Sequence, residues 1–172
     1  DTFTVVLDAQ PGSDVVLSVT SGDTGEATVT SSLTFTSANW DTAQTVTVTG
    51  ADDDLIDGTI TSTITASVVE VASDNNFDAV SDQTVSVTTT DDDVAGFTIA
   101  ETDSSTSVSE SGTTDTFTVV LDAEPASDVV LSVSSGDTGE ATVHGSTTSN
   151  TTLTFTSANW DTPQSFTVTG VD

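Results

Sequence analysis

Two runs of acidic residues are the part of this sequence in which chemistry can be expected. Each run follows a segment in which Val and Thr alternate. Adjacent carboxylates repel one another as a chain compacts, unless water solvates them or a cation lies among them. Clusters of hard oxygen ligands are typical of Ca²⁺ sites. The acids of the two runs are Asp52, Asp53, Asp54, Asp57, Asp91, Asp92 and Asp93.

The charge of the chain excludes several classes of partner. Its 172 residues include 28 Asp and Glu, one His and no Lys or Arg, which gives a formal charge of −28. Without cationic side chains it cannot neutralise phosphates, so no nucleic acid is expected as a partner. Attraction to anionic membrane surfaces is excluded for the same reason. The sequence contains no apolar run long enough to predict membrane insertion in this segment.

Catalytic patterns are missing from the sequence. It contains no Ser-His-Asp arrangement, no Cys and no phosphate-binding loop. Paired acids can hydrolyse glycosides, but acids at loop tips lack the walls that raise the pKa of one partner. We therefore predict that the protein is not an enzyme.

Three segments of the first 42 residues recur later in the chain. Residues 1–8 return unchanged at 115–122, and 21–29 return at 135–143. Residues 33–42 return at 153–162, which indicates a six-residue insertion in the second copy, within His144 to Thr152. A unit of roughly 115 residues has the size of one β-sandwich domain. Near-identical neighbouring units indicate a tandem array.

Apolar and hydroxyl residues alternate throughout, which is typical of half-buried strands. The fold class is therefore all-β, and we expect tandem immunoglobulin-like antiparallel sandwiches of about seven strands each. The predicted domains are 1–93, which lacks its first strand, and 94–172, which lacks its last two. Across the two copies, the seven strands are Val94–Ala100 with a continuation to Val108, Thr2–Asp8, Asp14–Thr20, Ser32–Thr36, Gln44–Thr49, Thr59–Val71 and Gln83–Thr90.

Strand direction brings the acids to one end of each predicted sandwich. Antiparallel strands joined by short loops alternate in direction, so every second loop lies at the same end. Both acidic runs fall at that end, together with Glu110 and with an acid of the third-strand loop, either Asp23 or Glu26. The corresponding acids of the second copy are Glu140 and Asp172.

This order of motifs resembles the Calx-β family, which includes calcium-binding domains of sodium–calcium exchangers and repeats of large bacterial surface proteins. The resemblance covers nearly a whole unit. It implies an immunoglobulin-like sandwich that holds Ca²⁺ at one tip through the acidic positions. The matching residues are Val108-Ser109-Glu110-Ser111-Gly112, Leu33-Thr34-Phe35, Asp52-Asp53-Asp54 and Asp91-Asp92-Asp93.

The expected function is that of a structural repeat in an extracellular filament, adhesin stalk or surface layer, which calcium makes rigid at the junctions between repeats. Its partners would be neighbouring repeats of the same or an identical chain. We expect a longer chain to supply the missing strands; alternatively, neighbouring chains add them to the open sheet edges. Other readings are an adhesion module that binds a glycan or protein through exposed loops, and a calcium sensor. Asn150 begins a weak N-glycosylation pattern.

Overall fold

A computed structural model describes residues 1–145 and 151–172 of the chain. It confirms the all-β class, with 45% of residues in strands, 4% in helices and several antiparallel sheets. The chain forms two compact units. Unit 1 comprises Asp1–Asp53 and Asp57–Asp91, and unit 2 comprises Asp54–Ile56 and Asp92–Asp172. Within the described ranges, no helix has the length and apolarity needed to cross a membrane.

Unit 1 contains two antiparallel sheets, with the strand orders β1-β5-β3 and β4-β2-β6-β7. Six of its seven strands lie where alternation predicts them, with ends that differ by a few residues. The strands are β1 (Thr2–Val5), β2 (Val15–Ser21), β3 (Ala27–Val29), β4 (Ser32–Phe35), β5 (Gln44–Gly50), β6 (Ile60–Val68) and β7 (Gln83–Thr89).

The core of unit 1 draws on both sheets. Val15, Leu17 and Val19 project from one face of β2, because successive side chains of a strand alternate between faces. They pack with Phe35 of β4 and with Val46 of β5, which belongs to the other sheet. Phe35 and Val46 are fully buried. The two sheets therefore enclose one apolar layer, as in a sandwich.

The segment 27–35 departs from the expected single strand. We predicted one strand here, Ser32–Thr36, and the structure adds β3 in front of it. β3 pairs with β5, whereas β4 pairs with β2, so one extended run contributes to both sheets. Its two middle residues continue the pairing, because the Thr30 amide donates to Thr47 and the Ser31 carbonyl accepts from Val19. Since β3 and β4 follow the same direction, the expected alternation of loops is preserved.

Unit 2 contains the sheets β11-β13-β9-β8 and β10-β12. Buried Phe155 and Phe166 centre its core, and Trp160 packs against them. The strands are β8 (Phe97–Glu101), β9 (Thr114–Leu121), β10 (Val129–Ser132), β11 (Ala141–Gly145), β12 (Thr152–Phe155) and β13 (Gln164–Gly170).

Two expectations for unit 2 need correction. The strand that we expected to continue towards Val108 ends at Glu101, where a helical turn begins and Asp103 has a φ of 54°. His144 does not lie in the inserted loop, because it belongs to β11 and pairs with Thr167. The proposed glycosylation site, Asn150, lies outside the described residues.

Candidate cation site

One end of unit 1 is defined by four strand ends. Ala27, where β3 begins, lies opposite Gly50, where β5 ends. Ile60, where β6 begins, lies opposite Thr89, where β7 ends. The β2–β3 loop, the β5–β6 loop and the exit of β7 are therefore at the same end, as the alternation of strand directions predicts.

Hydrogen bonds link these three segments directly. The backbone carbonyl of Glu26 accepts from the Ala51 amide at 2.8 Å and from the Thr89 hydroxyl at 3.2 Å. The Gly58 amide donates to the Asp91 carboxylate at 2.7 Å. Gly58 has a φ of 79°, a conformation that glycine adopts without the steric penalty of a side chain. The loop that follows β5 is thus held to both of its neighbours.

Three carboxylates meet in this framework. One oxygen from each of Glu26, Asp53 and Asp57 lies within 4.8 Å of the others. Ca–O distances are about 2.3–2.6 Å, so two ligands of one ion can be up to about 5 Å apart. The three oxygens therefore fit the first shell of a single calcium ion. Glu26 is half-buried, whereas Asp53 and Asp57 are exposed, which leaves room for water to complete the shell.

The electrostatics of the cluster raise the pKa of Glu26 above its ordinary value. Partial burial is the largest cause, followed by the charge of Asp57 and a hydrogen bond with it, then by the charges of Asp23 and Asp53. Each of these effects penalises the ionised form of Glu26. A cation at the same place would reverse the penalty, because it favours ionised carboxylates.

The structure distinguishes the two acids that the sequence left open in the β2–β3 loop. Glu26 belongs to the cluster. Asp23 instead accepts a hydrogen bond from the Gly25 amide at 3.1 Å and so closes the turn before β3. Asp23 still acts on the site through its charge.

The other acids of the two runs divide between the units. Asp52 lies beside the cluster and lines a shallow cavity with Ala27 and Gly50. Asp91 binds Gly58, as described above. Asp54, Asp92 and Asp93 group with unit 2.

In unit 2, Glu110 and Glu140 line one open cavity of about 560 Å³. The Glu140 carbonyl accepts from the Val171 amide at 2.9 Å, which repeats the bond between Ala51 and Glu26 in unit 1. Asp172 follows and corresponds to Asp52. Counterparts of Asp53 and Asp57 do not occur in the 172 residues. Across the described residues, the grouping of three acids occurs only in unit 1.

A further acid in unit 1 has a structural role that the sequence did not indicate. Asp74 is 7% exposed and accepts from the amides of Gly12 at 2.6 Å, Ser13 at 3.2 Å and Asn76 at 3.0 Å. These donors hold the pKa of Asp74 below its ordinary value. Its oxygens are already used by the protein, so we do not count Asp74 among the cation ligands.

Two contributors to the site were missed by the sequence analysis. The carbonyl of Glu26 anchors the neighbouring segments, and no side-chain pattern reports such a role. Gly58 orders the loop through Asp91, and the turn dipeptide Asp57-Gly58 was the available signal.

Comparison with protein-family models, with curated proteins and with solved structures finds no match for this chain. The resemblance to the Calx-β family therefore stays a prediction.

Proposed function

We propose that this chain is a calcium-binding structural repeat of an extracellular filament, adhesin stalk or surface layer. The observation that carries the proposal is the meeting of Glu26, Asp53 and Asp57 within 4.8 Å at one end of unit 1. The all-β architecture and the internal repeat support a structural role, because serial copies add length. We also propose that each complete unit is an immunoglobulin-like sandwich of the Calx-β type.

The mechanism follows from the two loops that supply the ligands. Glu26 belongs to the β2–β3 loop, whereas Asp53 and Asp57 belong to the β5–β6 loop. An ion held by all three would tie these loops together. It would also favour the ionised form of Glu26, whose pKa is now raised by partial burial and by the neighbouring acids. The chain leaves unit 1 through Asp91–Asp93 at this same end, so a bound ion would stiffen the chain where the next copy begins.

An extracellular setting is part of the proposal. The described cluster offers three carboxylate ligands, and two of them are exposed to solvent. The calcium affinity should therefore resemble that of extracellular modules, with a Kd of about 10⁻⁴–10⁻³ M. Such a site would be filled where calcium is millimolar, as it is outside cells. At a free calcium concentration ten times the Kd, the stabilisation would be about 1.4 kcal/mol.

The test is thermal unfolding of unit 1 with calcium and with a chelator. Each unit contains one Trp, so the Trp160→Phe variant leaves Trp40 as the reporter of unit 1. We expect calcium to raise the unfolding midpoint and magnesium to raise it less. Glu26→Gln and Asp57→Asn should each remove most of the calcium effect.

Asp41→Asn is the matched control, because Asp41 is an exposed acid in the β4–β5 connection. It removes one negative charge without touching the cluster and should retain the full calcium shift. An unchanged midpoint in 10 mM calcium, or equal losses in the control and the cluster variants, would contradict the proposal.

A further inference from the structure

The β5–β6 loop contains a dipeptide with a reactivity of its own. Asp57-Gly58 is the only Asp-Gly pair in the 172 residues, and the chain has no Asn-Gly pair. Glycine carries no side chain to shield its backbone nitrogen. The Gly58 nitrogen can therefore approach the carboxyl carbon of Asp57 more closely than the nitrogen of a larger residue could. Every other Asp that has a following residue is followed by one with a side chain.

The reaction open to such a pair converts aspartate to isoaspartate. The Gly58 nitrogen bonds to Cγ of Asp57, and the carboxyl hydroxyl leaves with the amide proton as one molecule of water. Water then cleaves the resulting succinimide ring. Where it attacks the main-chain carbonyl carbon of Asp57, the bond from that carbon to the nitrogen breaks, and the main chain afterwards runs through Cγ. The conversion releases and takes up one water molecule, so it needs no oxidant or reductant.

The strand register places an acid opposite this pair. Ile60 of β6 pairs with Thr89 of β7. Gly58 precedes Ile60 by two residues and Asp91 follows Thr89 by two, so the two positions continue the antiparallel register beyond the ladder. Accordingly, the Gly58 amide donates to the Asp91 carboxylate at 2.7 Å. Hydrogen bonds to an ionised acceptor are stronger than those between neutral groups.

The two reacting groups thus have different partners in the folded chain. The Gly58 nitrogen is bound to Asp91. The Asp57 carboxyl forms a hydrogen bond with Glu26 and has an oxygen within 4.8 Å of those of Glu26 and Asp53. Ladder pairing does not hold this peptide, because β5 ends at Gly50 and β6 begins only at Ile60. The bond to Asp91 is therefore the main restraint on the attacking nitrogen.

We propose that the Asp57-Gly58 peptide is a site of isoaspartate formation, and that the hydrogen bond from its amide to Asp91 suppresses the reaction in the folded chain. The conversion then proceeds through local opening of the loop, and its rate follows the fraction of molecules in which this bond is broken. The inference goes beyond the proposed function, because it concerns the covalent stability of the loop and requires no cation.

Conversion would change the loop in two ways. It inserts Cβ of Asp57 into the main chain, so the connection between β5 and β6 becomes longer by one atom. It also leaves the free carboxylate on Cα, and the Asp57 oxygen loses its place beside Glu26 and Asp53. If the cluster binds calcium as proposed, converted molecules bind it more weakly. This consequence alone rests on the proposed function.

A pair of alanine variants tests the role of Asp91. Asp91→Ala removes the acceptor, whereas Asp92→Ala removes the same charge from the neighbouring, exposed position. The folded chains are incubated with EDTA in water enriched in heavy oxygen and are then digested. Mass spectrometry follows the peptide that contains Asp57, since each passage through the ring adds one heavy oxygen atom, and chromatography separates the isoaspartyl product.

We expect Asp91→Ala to convert about tenfold faster than the unmodified chain, which is the factor for losing one hydrogen bond to a charged group. Asp92→Ala should convert at the unmodified rate. Equal rates in the two variants would overturn the inference. A slower conversion in Asp91→Ala would overturn it as well, because the carboxylate would then be assisting the attack by taking the amide proton.

Asp57→Glu in the Asp91→Ala background controls for the site. A glutamate keeps the charge but must close a six-membered ring, which forms far more slowly, so this variant should gain almost no heavy oxygen at residue 57. Uptake there at the rate of Asp91→Ala alone would contradict the assignment. Trp40 fluorescence in the Trp160→Phe background checks that unit 1 of each variant is folded.

A second measurement needs no substitution at the site. Denaturant abolishes the bond to Asp91, so the unmodified chain should convert at least about tenfold faster unfolded than folded. Equal rates in the two states would overturn the inference, even if Asp91→Ala fails to fold.

The failure of this inference is distinguishable from that of the proposed function. An unfolding midpoint that calcium does not shift would contradict the proposed function, yet the rate difference between Asp91→Ala and Asp92→Ala in EDTA would still support the inference. Equal rates in those two variants would overturn the inference and would leave the calcium shift of unit 1 in place.

Discussion

Units 1 and 2 place the same sequence motifs in different surroundings. Val15 and Leu17 of β2 are 0% and 7% exposed. Their counterparts in β10, Val129 and Leu131, are only half-buried. Among the described residues, β2 pairs with both β4 and β6, whereas β10 pairs only with β12. The strand is also longer where it has two partners, with seven residues in β2 and four in β10.

In the strands β1 and β9, the residue of unit 2 is the more deeply buried of the two. In the part of the chain that the structure describes, β9 has two partner strands and buries Val119, whereas β1 has one partner strand and leaves Val5 half-buried. The burial of a residue in this protein is therefore set by neighbouring strands that lie far away in the sequence. An apolar residue in an alternating pattern is a core residue only when its partner strand is present.

The largest effect should come from truncating Leu17 of β2 and Leu131 of β10, which occupy corresponding positions in the two copies. Leu17→Ala should destabilise unit 1 by about 2–5 kcal/mol, because it leaves a cavity in a closed core. Leu131→Ala should cost unit 2 less than half as much, since the site is already open to solvent. Denaturant unfolding, followed by Trp40 or Trp160 alone, measures each unit. Equal losses in the two units would refute the link between partner strands and stability.

A smaller loss of stability is expected for the corresponding valines of β9 and β1, and here unit 2 should lose more than unit 1. Val119→Ala should destabilise unit 2 by about 1.5–3 kcal/mol, which is the contribution of a fully buried side chain of this size. Val5→Ala should cost unit 1 roughly half of that. Together with the leucine pair, this pair controls for any general difference between the units. A larger cost for Val5→Ala would contradict the burial argument.

The sequence predicted the local part of this architecture well. Alternation located β2, β5, β6 and β7 because their Val and Thr residues follow the period of two that sheets impose. It missed β3, since Ala27–Val29 is too short to show alternation and follows a turn at Gly25. It also overextended the strand that begins unit 2, because turn formation at Asp103 depends on a positive φ that the residue type does not announce.

The candidate site was predicted as a region but not as a set of ligands. The alternation of strand directions brought Glu26, Asp53 and Asp57 to one end, and this followed from loop order alone. The sequence could not separate Glu26 from Asp23, because the choice depends on which carboxylate the Gly25 amide captures. The sequence analysis also treated the acids of each run as equivalent. In the structure, Asp91 instead accepts a hydrogen bond from the Gly58 amide and so orders the loop.

The smallest effect concerns pH and distinguishes Glu26 from Glu140. Folding raises the pKa of Glu26, so the folded chain holds that proton more tightly than the unfolded chain. In a chelator, unit 1 should therefore lose stability as the pH rises from the ordinary carboxyl range through this raised pKa. Glu26→Gln should remove that loss, and Glu140→Gln should leave the profile of unit 1 unchanged. The measurement is the unfolding midpoint of unit 1 against pH.

Asp74 gives the opposite slope and serves as the internal reference for this profile. Its pKa is lowered on folding, so its contribution is present above the ordinary carboxyl pKa and is lost as the pH falls through the folded value. Asp74→Asn should flatten the acid side and leave the slope due to Glu26 in place. A single variant that abolished both slopes would show that the two carboxyls do not act separately.

The run from Ala27 to Phe35 has a mechanical consequence. Its first half is hydrogen-bonded into one sheet and its second half into the other, with only Thr30 and Ser31 between them. Sliding one sheet over the other would thus require breaking backbone pairing on at least one side of this crossing. A module built in this way resists shear through its main chain as well as through its apolar layer, and a load applied along a string of such modules would reach both sheets together.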